Sequence, residues 1–420
     1  MTKTLYILDV DVFLDNGGAG KASYQIIKGL TDYYRIIFVP KYAAYNKMKA
    51  SGYSGFLKDM DYMKMNGIIV PEKLLDLVSK TTISYNEYLK LISTIIEYES
   101  IVFDLNYFPE LEPKSLRDII KSFFYRGEIN YLKYHNHCKI ITLLQTLDNR
   151  PINSHTYFAF KSFINYHFVD LELLSKSIYR NVKDPISTKN LMEYSDLILL
   201  FSRGGIVSLN QKSDSKFRIL NIGNTIENTI KRTPKSNYIV YFARLVYQKG
   251  ILDLLETFNA ILKSYDTILV IAGKFSDDKV KTVFYKRIKE LGITSKIRML
   301  GFIERGKLDE VISSAKVFIY PTHGDSFPYA ILESISLSTI VVTYALPTIS
   351  SIYSNLKCVT LIDEFDIDSM TKKTVEILKM GTNEYINIFN DEKIKEFIAL
   401  HTCKDKSINE IQGYIEQLLT

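Results

Sequence analysis

VFIYPTHGDSFPYAILE, residues Val317 to Glu333, is the stretch on which the reading of the whole chain turns. Its first four residues, Val317-Phe318-Ile319-Tyr320, form an apolar run that predicts a buried strand. Pro321-Thr322-His323-Gly324-Asp325-Ser326 then breaks the pattern and reads as a loop. Ser326 suits an N-cap, Pro328 sits near a first helical position, and Phe327, Ala330 and Ile331 recur at helical spacing. A strand, a polar loop and a helix start make a place where free N–H groups attract an anion. Two carboxylates, Asp325 and Glu333, flank that place about two helical turns apart. Such an arrangement fits a ligand with phosphates at one end and hydroxyls at the other, the shape of a sugar nucleotide. The same two acids also read as a carboxylate favouring a helix N-terminus and a solvated face residue, so neighbouring segments must decide.

Outward from this stretch, strands and helices alternate. Downstream of the polar, basic segment from Lys231 to Asn237, strands are predicted at Tyr238–Phe242, Thr267–Ala272, Ile297–Leu300, Val317–Tyr320 and Thr339–Thr343, with helices between them. Upstream, strands are predicted at Leu5–Leu8, Arg35–Pro40, Ile101–Leu105, Lys139–Leu144, Leu197–Phe201 and Phe217–Ile222. Alternation of this kind indicates parallel, doubly wound sheets, whose ligands lie beyond the carboxyl ends of the strands. Gly17, Gly18, Gln145, Asp148 and Ser202 all fall at such ends. The loop Asp15-Asn16-Gly17-Gly18-Ala19-Gly20-Lys21 lets backbone approach a phosphate, or is simply a tight glycine turn. It lacks the glycine and hydroxyl spacing of a P-loop, and Ser23 stands where the dinucleotide fingerprint needs glycine.

A chain of 420 residues exceeds one ordinary core, so two domains are expected. Apolar content of 46% and charged content of 24% are those of a soluble globular protein. A net charge of +6 gives no nucleic-acid signature. Asp9 and Asp11 stand where a signal peptide would be apolar, and no stretch is as long as a membrane span. Cys138, Cys358 and Cys403 are scattered, without a disulfide framework or paired metal spacing, which predicts a reducing, cytoplasmic setting. His135-Asn136-His137-Cys138 precedes a strand, at the end opposite the expected site, and reads as a surface loop rather than a metal site. An aromatic helix is predicted from His155 to about Tyr179. Its Tyr157–Phe168 portion, flanked by Lys161, Lys176 and Arg180, reads first as a core helix and second as a surface resting on lipid.

With these pieces the chain resembles the retaining glycosyltransferases of the GT-B fold, family 4. Five motifs carry the likeness: the Gly17-Gly18 loop; Tyr241-Phe242-Ala243-Arg244 leading to Lys249-Gly250; Ile271-Ala272-Gly273; Leu300-Gly301-Phe302; and the acid pair Asp325 and Glu333. The chain departs from the family pattern at Ala243 for Gly, Asp325 for Glu, and Ser326-Phe327-Pro328 for Gly-Phe-Gly. Gln145 replaces the acceptor-side His, and Ala345-Leu346-Pro347-Thr348 stands where a Gly-Gly loop is usual. The resemblance implies two doubly wound, Rossmann-like α/β domains facing across a cleft. Residues 1–224 would bind the acceptor, 225–398 the nucleotide sugar, and 399–420 would form a helix returning to the first domain. It assigns Asp325, Arg244 and Lys249 to catalysis, and Glu333, Gly17, Gly18, Gly273, Ser326 and Phe327 to the donor. Gln145 and Asp148 fall on the acceptor side. It further implies transfer from a nucleotide-diphosphate sugar to a glycan, lipid-linked or small-molecule acceptor. No cofactor, metal or nucleic acid is implied, and peripheral contact with the inner membrane face is allowed. A non-catalytic sugar-nucleotide-binding protein on the same fold is the second reading.

Overall fold

The computed structural model describes residues 3–9, 18–42, 54–79, 83–105, 127–144, 186–209, 211, 215–226, 233–276 and 278–419. The chain divides into two compact units, Met1–Gly223 with Lys404–Thr420, and Asn224–Cys403.

Among the described residues the first unit holds six strands: β1 (Thr4–Asp9), β2 (Arg35–Pro40), β3 (Ile101–Asp104), β4 (Lys139–Leu144), β5 (Leu197–Leu200) and β6 (Phe217–Ile219). They lie in the order β2-β1-β3-β4-β5-β6, every pair parallel. Runs such as LILL and KIITLL are almost wholly buried, because helices cover both faces of a parallel sheet. The last helix, Lys404–Leu419, packs on the helix Gly18–Leu30, where Gly29 admits Ile408 at a distance too short for any Cβ. Tyr34 Oη and Lys3 Nζ donate to the two oxygens of Glu416 at 2.7 and 2.6 Å, pinning the same helix.

The second unit holds β7 (Ser236–Phe242), β8 (Ile268–Ala272), β9 (Ile297–Gly301), β10 (Ala315–Tyr320), β11 (Ile340–Tyr344) and β12 (Val359–Ile362). Their order is β12-β11-β10-β7-β8-β9, again all parallel. Counted within the unit this is the 3-2-1-4-5-6 order of the doubly wound fold. The winding reverses between β7 and β10, so the crevice for a ligand opens beyond Phe242 and Tyr320.

The boundary expected at 398 falls inside the helix Glu392–His401, which packs on the helix Tyr329–Ser336 and belongs to the second unit. The chain leaves that unit only after Cys403. A helix anchored by buried Ile394 and His401 cannot be divided between two cores.

Candidate functional site

Two loops meet at the switch point of the second sheet. The loop after β7 passes Arg244, makes a short 3-10 turn at Tyr247–Lys249 and enters the helix Ile251–Leu262 through Gly250. Gly250 has φ 69°, and a Cβ there would lie 1.8 Å from the Pro321 carbonyl oxygen, so only glycine lets the two loops touch. The His323 amide donates to the Gln248 carbonyl at 2.9 Å, closing the contact. Lys249 Nζ donates to the Gly324 carbonyl at 3.0 Å and to Asp325 Oδ2 at 2.7 Å. The ammonium has three donors, so one remains for a ligand. Asp325 Oδ2 also accepts from Tyr320 Oη at 2.7 Å, while Oδ1 takes no bond among the described residues. Burial first, and the Asp325 charge second, push the Tyr320 phenol well above its ordinary value, so it stays a donor. Arg244 is exposed on the same loop and has no ion-pair partner among the described residues.

The helix carrying Glu333 starts later than the sequence predicts. It runs from Tyr329 to Ser336, and its N-cap is Pro328, which offers no side-chain cap. Proline disfavours helical geometry in the residue before it, so Phe327 cannot be helical and Ser326 cannot cap. The Phe327 ring is buried against Tyr353 and His401, at centroid distances of 6.0 and 5.5 Å, and the Phe327 carbonyl accepts from Asn224 Nδ2 at 3.0 Å. The ring is thus packed inside the unit, and the backbone of the loop is fixed beside Asn224. Ser326 is half-buried in the loop. Glu333, buried one turn into the helix, pairs with the Arg305 guanidinium, which also bonds Asp309 at 2.8 Å. Gly273, with φ 151°, directly follows β8; a Cβ there would meet the Ala243 carbonyl oxygen at 2.0 Å, so glycine lets the β7 and β8 loops approach closely.

Beneath the loops lies a buried charge cluster absent from the sequence reading. His323 Nδ1 lies 2.8 Å from Glu364 Oε1, and Nε2 lies 3.1 Å from Asp253 Oδ2. Both His323 and Asp253 are fully buried. Burial alone would lower the imidazole pKa, but Asp253 first and Glu364 next outweigh it and raise it to about 9. A folded value above the ordinary 6.5 means stability fully present below pH 6.5 and lost as pH rises through about 9. The loss should be on the order of 3 kcal/mol. Urea denaturation at pH 6.5 and 9.5 checks it: the wild type should weaken across this range and His323→Gln should not. A wild type equally stable at both values would refute the charged-imidazole assignment.

Of the remaining expected site residues, Gly18 opens the helix Gly18–Leu30, and Ser202 is buried just beyond β5. Gly17, Gln145, Asp148 and the aromatic helix at 155–179 lie outside the described residues. His135 stacks on Tyr131 at 3.9 Å, His137 lies 5.0 Å from Tyr98, and Cys138 is buried beside Ser100. Among the described residues no three His, Cys, Asp or Glu side chains are placed to share a metal ion. No described helix is long and apolar enough to cross a membrane.

Residues 224–393, which hold every side chain of this site, match the family described as glycosyl transferases group 1. An uncharacterized glycosyltransferase of Methanocaldococcus jannaschii is 33% identical over 105 residues, 25% of this chain and 26% of that protein. The capsular polysaccharide biosynthesis glycosyltransferase CapM of Staphylococcus aureus is 22% identical over 273 residues, 63% of this chain and 66% of that protein. The chain thus spans at most 66% of the length of these curated relatives. Among solved structures, sucrose-phosphate synthase of Thermosynechococcus elongatus aligns over 99% of both chains with a TM-score of 0.67 at 13% identity. HepE of Anabaena, solved with UDP and glucose, aligns over 99% of both chains with a TM-score of 0.64 at 10% identity. At such identities the likeness is one of fold. The two parallel six-stranded sheets with their helices have the GT-B architecture of these structures.

Proposed function

We propose that this chain is a glycosyltransferase that takes a sugar from a nucleotide-diphosphate donor held on the second unit. The observation that carries the reading is the meeting of Lys249 and Asp325 at the switch point of that sheet, with Glu333 buried in the adjoining helix. Three chemical demands are then met in one place. Arg244 and the unspent donor of Lys249 offset diphosphate charge, which grows on the leaving group as the glycosidic bond breaks. Asp325 accepts hydrogen bonds from hydroxyls of the transferred sugar. Glu333 accepts from the ribose diol, its carboxylate held in place by Arg305. These cations stand in for a divalent metal, so the transfer is assigned as metal-independent, and as retaining by its motifs. Because HepE was solved with UDP and glucose, UDP-sugars are the first donors to try.

The acceptor, a glycan, a lipid-linked sugar or a small molecule, is assigned to the first unit, with Gln145 and Asp148 at strand ends. The setting is cytoplasmic, with peripheral contact at the inner membrane face as a property to be measured by vesicle flotation. Pro328 favours a second reading, binding without catalysis, because it removes one backbone donor from the helix start.

Glu333→Gln tests the donor assignment. A charge-assisted bond is worth about 1.5–3 kcal/mol, so nucleoside diphosphate affinity should fall about tenfold or more. Calorimetric titration giving an unchanged affinity would remove Glu333 from the ribose.

A further inference from the structure

His323 Nδ1 is in hydrogen-bond contact with Glu364 Oε1, and Nε2 lies 3.1 Å from Asp253 Oδ2, so a carboxylate oxygen stands beside each ring nitrogen. The groups that His323 joins come from separate segments. Asp253 lies in the first turn of the helix that follows Gly250, and Glu364 follows β12. Tyr344, at the end of β11, donates to Asp253 Oδ2 at 2.7 Å. Phe365 stacks on the imidazole at 4.5 Å and holds a φ of 71°, a strained backbone for a residue other than glycine. The backbone of His323 is bonded to Gln248, the neighbour of Lys249, and Asp325 follows two residues on. One buried ring therefore ties together the segments that present the cation and the acid.

We propose that His323 is a positioning residue of the donor site, bridging Asp253 and Glu364 so that Asp325 and Lys249 stay in register. The inference rests on the donor-site reading above. Among the described residues, Asp253 from the helix and Glu364 from the loop after β12 face the ring, with the Tyr344 hydroxyl acting through Asp253. Loss of the imidazole proton sets a nitrogen lone pair against one carboxylate. That repulsion displaces the loop after β10, and with it Asp325. Nucleotide affinity should accordingly fall as pH rises through about 9, the value to which the two carboxylates raise the ring.

The experiment uses the full chain and three probes, UDP, GDP and ADP, titrated calorimetrically from pH 6 to 10. The wild type should bind its best nucleotide at least tenfold more weakly at pH 10 than at pH 7. Glu364→Gln removes one of the two carboxylates. It should keep the pH 6 affinity within about threefold and move the midpoint of the loss down by about one pH unit. Near-UV circular dichroism verifies its fold. The shift between the two proteins is the decisive quantity, because titration of the probe itself is common to both. An unmoved midpoint, or an affinity flat with pH, overturns the positioning role while a loss of affinity in Glu333→Gln still upholds the donor site. Absence of binding by all three probes at every pH overturns both.

Discussion

Lys249→Ala is expected to lower turnover of the donor by about 10²-fold, the usual cost of removing one preorganised donor from a developing negative charge. The lysine is largely buried, over the Tyr320 ring at 5.7 Å and paired with Asp325 at 2.7 Å. Its ammonium already spends two donors on the loop, so its charge is held in place before a diphosphate arrives. Removing it leaves Asp325 with a single neutral donor, the Tyr320 hydroxyl. Breaking a buried pair from one side costs about 3–5 kcal/mol of stability, so turnover must be measured below the variant's unfolding transition. The double variant Lys249→Ala/Asp325→Ala isolates the stability part, since Asp325→Ala lowers turnover by itself. Removing both partners leaves no uncompensated charge, so stability should recover most of the loss while turnover stays low. A double variant no more stable than Lys249→Ala would show that the loss does not come from an unpaired Asp325 carboxylate.

Asp325→Ala should likewise lower turnover by about 10²-fold, but with nucleoside diphosphate affinity unchanged or slightly raised. The reason is that Asp325 competes for Lys249. With the carboxylate gone, the ammonium turns its full charge to the phosphates. An interaction made with the sugar and strengthened in the transition state appears in kcat, whereas uniform binding appears in KM. Steady-state kinetics with the donor in hand, beside calorimetry with the nucleotide alone, makes the comparison. Equal losses in both would reduce Asp325 to a support for its loop.

The positions of β1 to β11 were legible because parallel strands, covered on both faces, read as unbroken apolar runs such as ILVIA, whereas the edge strand β12, Val359–Ile362, was missed because it is short and its two middle residues are only half-buried. The switch-point loops were legible because glycine and proline interrupt those runs at Gly250 and Pro321. The ion pair between Lys249 and Asp325 was not, since 76 residues separate them and only the β7–β10 adjacency brings them together. The helix start was misplaced because Ser326 looks like a cap, while the stronger constraint is the restriction that Pro328 imposes on Phe327. The His323 cluster had one overlooked signal. Asp253 is a lone acid among Ile251, Leu252, Leu254 and Leu255, in a helix buried on nearly every side. An acid there has to find a partner in the core. Arg305 gave no signal, because an arginine in a first helical turn is ordinary until Glu333 is seen beside it.

Donor cleavage tests the account most directly. The full chain would be incubated with UDP-, GDP- and ADP-sugars and followed by proton NMR, without acceptor and then with candidate glycans. The expected result is release of nucleoside diphosphate from one donor, with a product that keeps the donor's anomeric configuration, and near-abolition of that release in Lys249→Ala. A donor that binds the chain and loses affinity in Glu333→Gln, yet stays intact with every acceptor, would contradict catalysis and leave a sugar-nucleotide-binding protein.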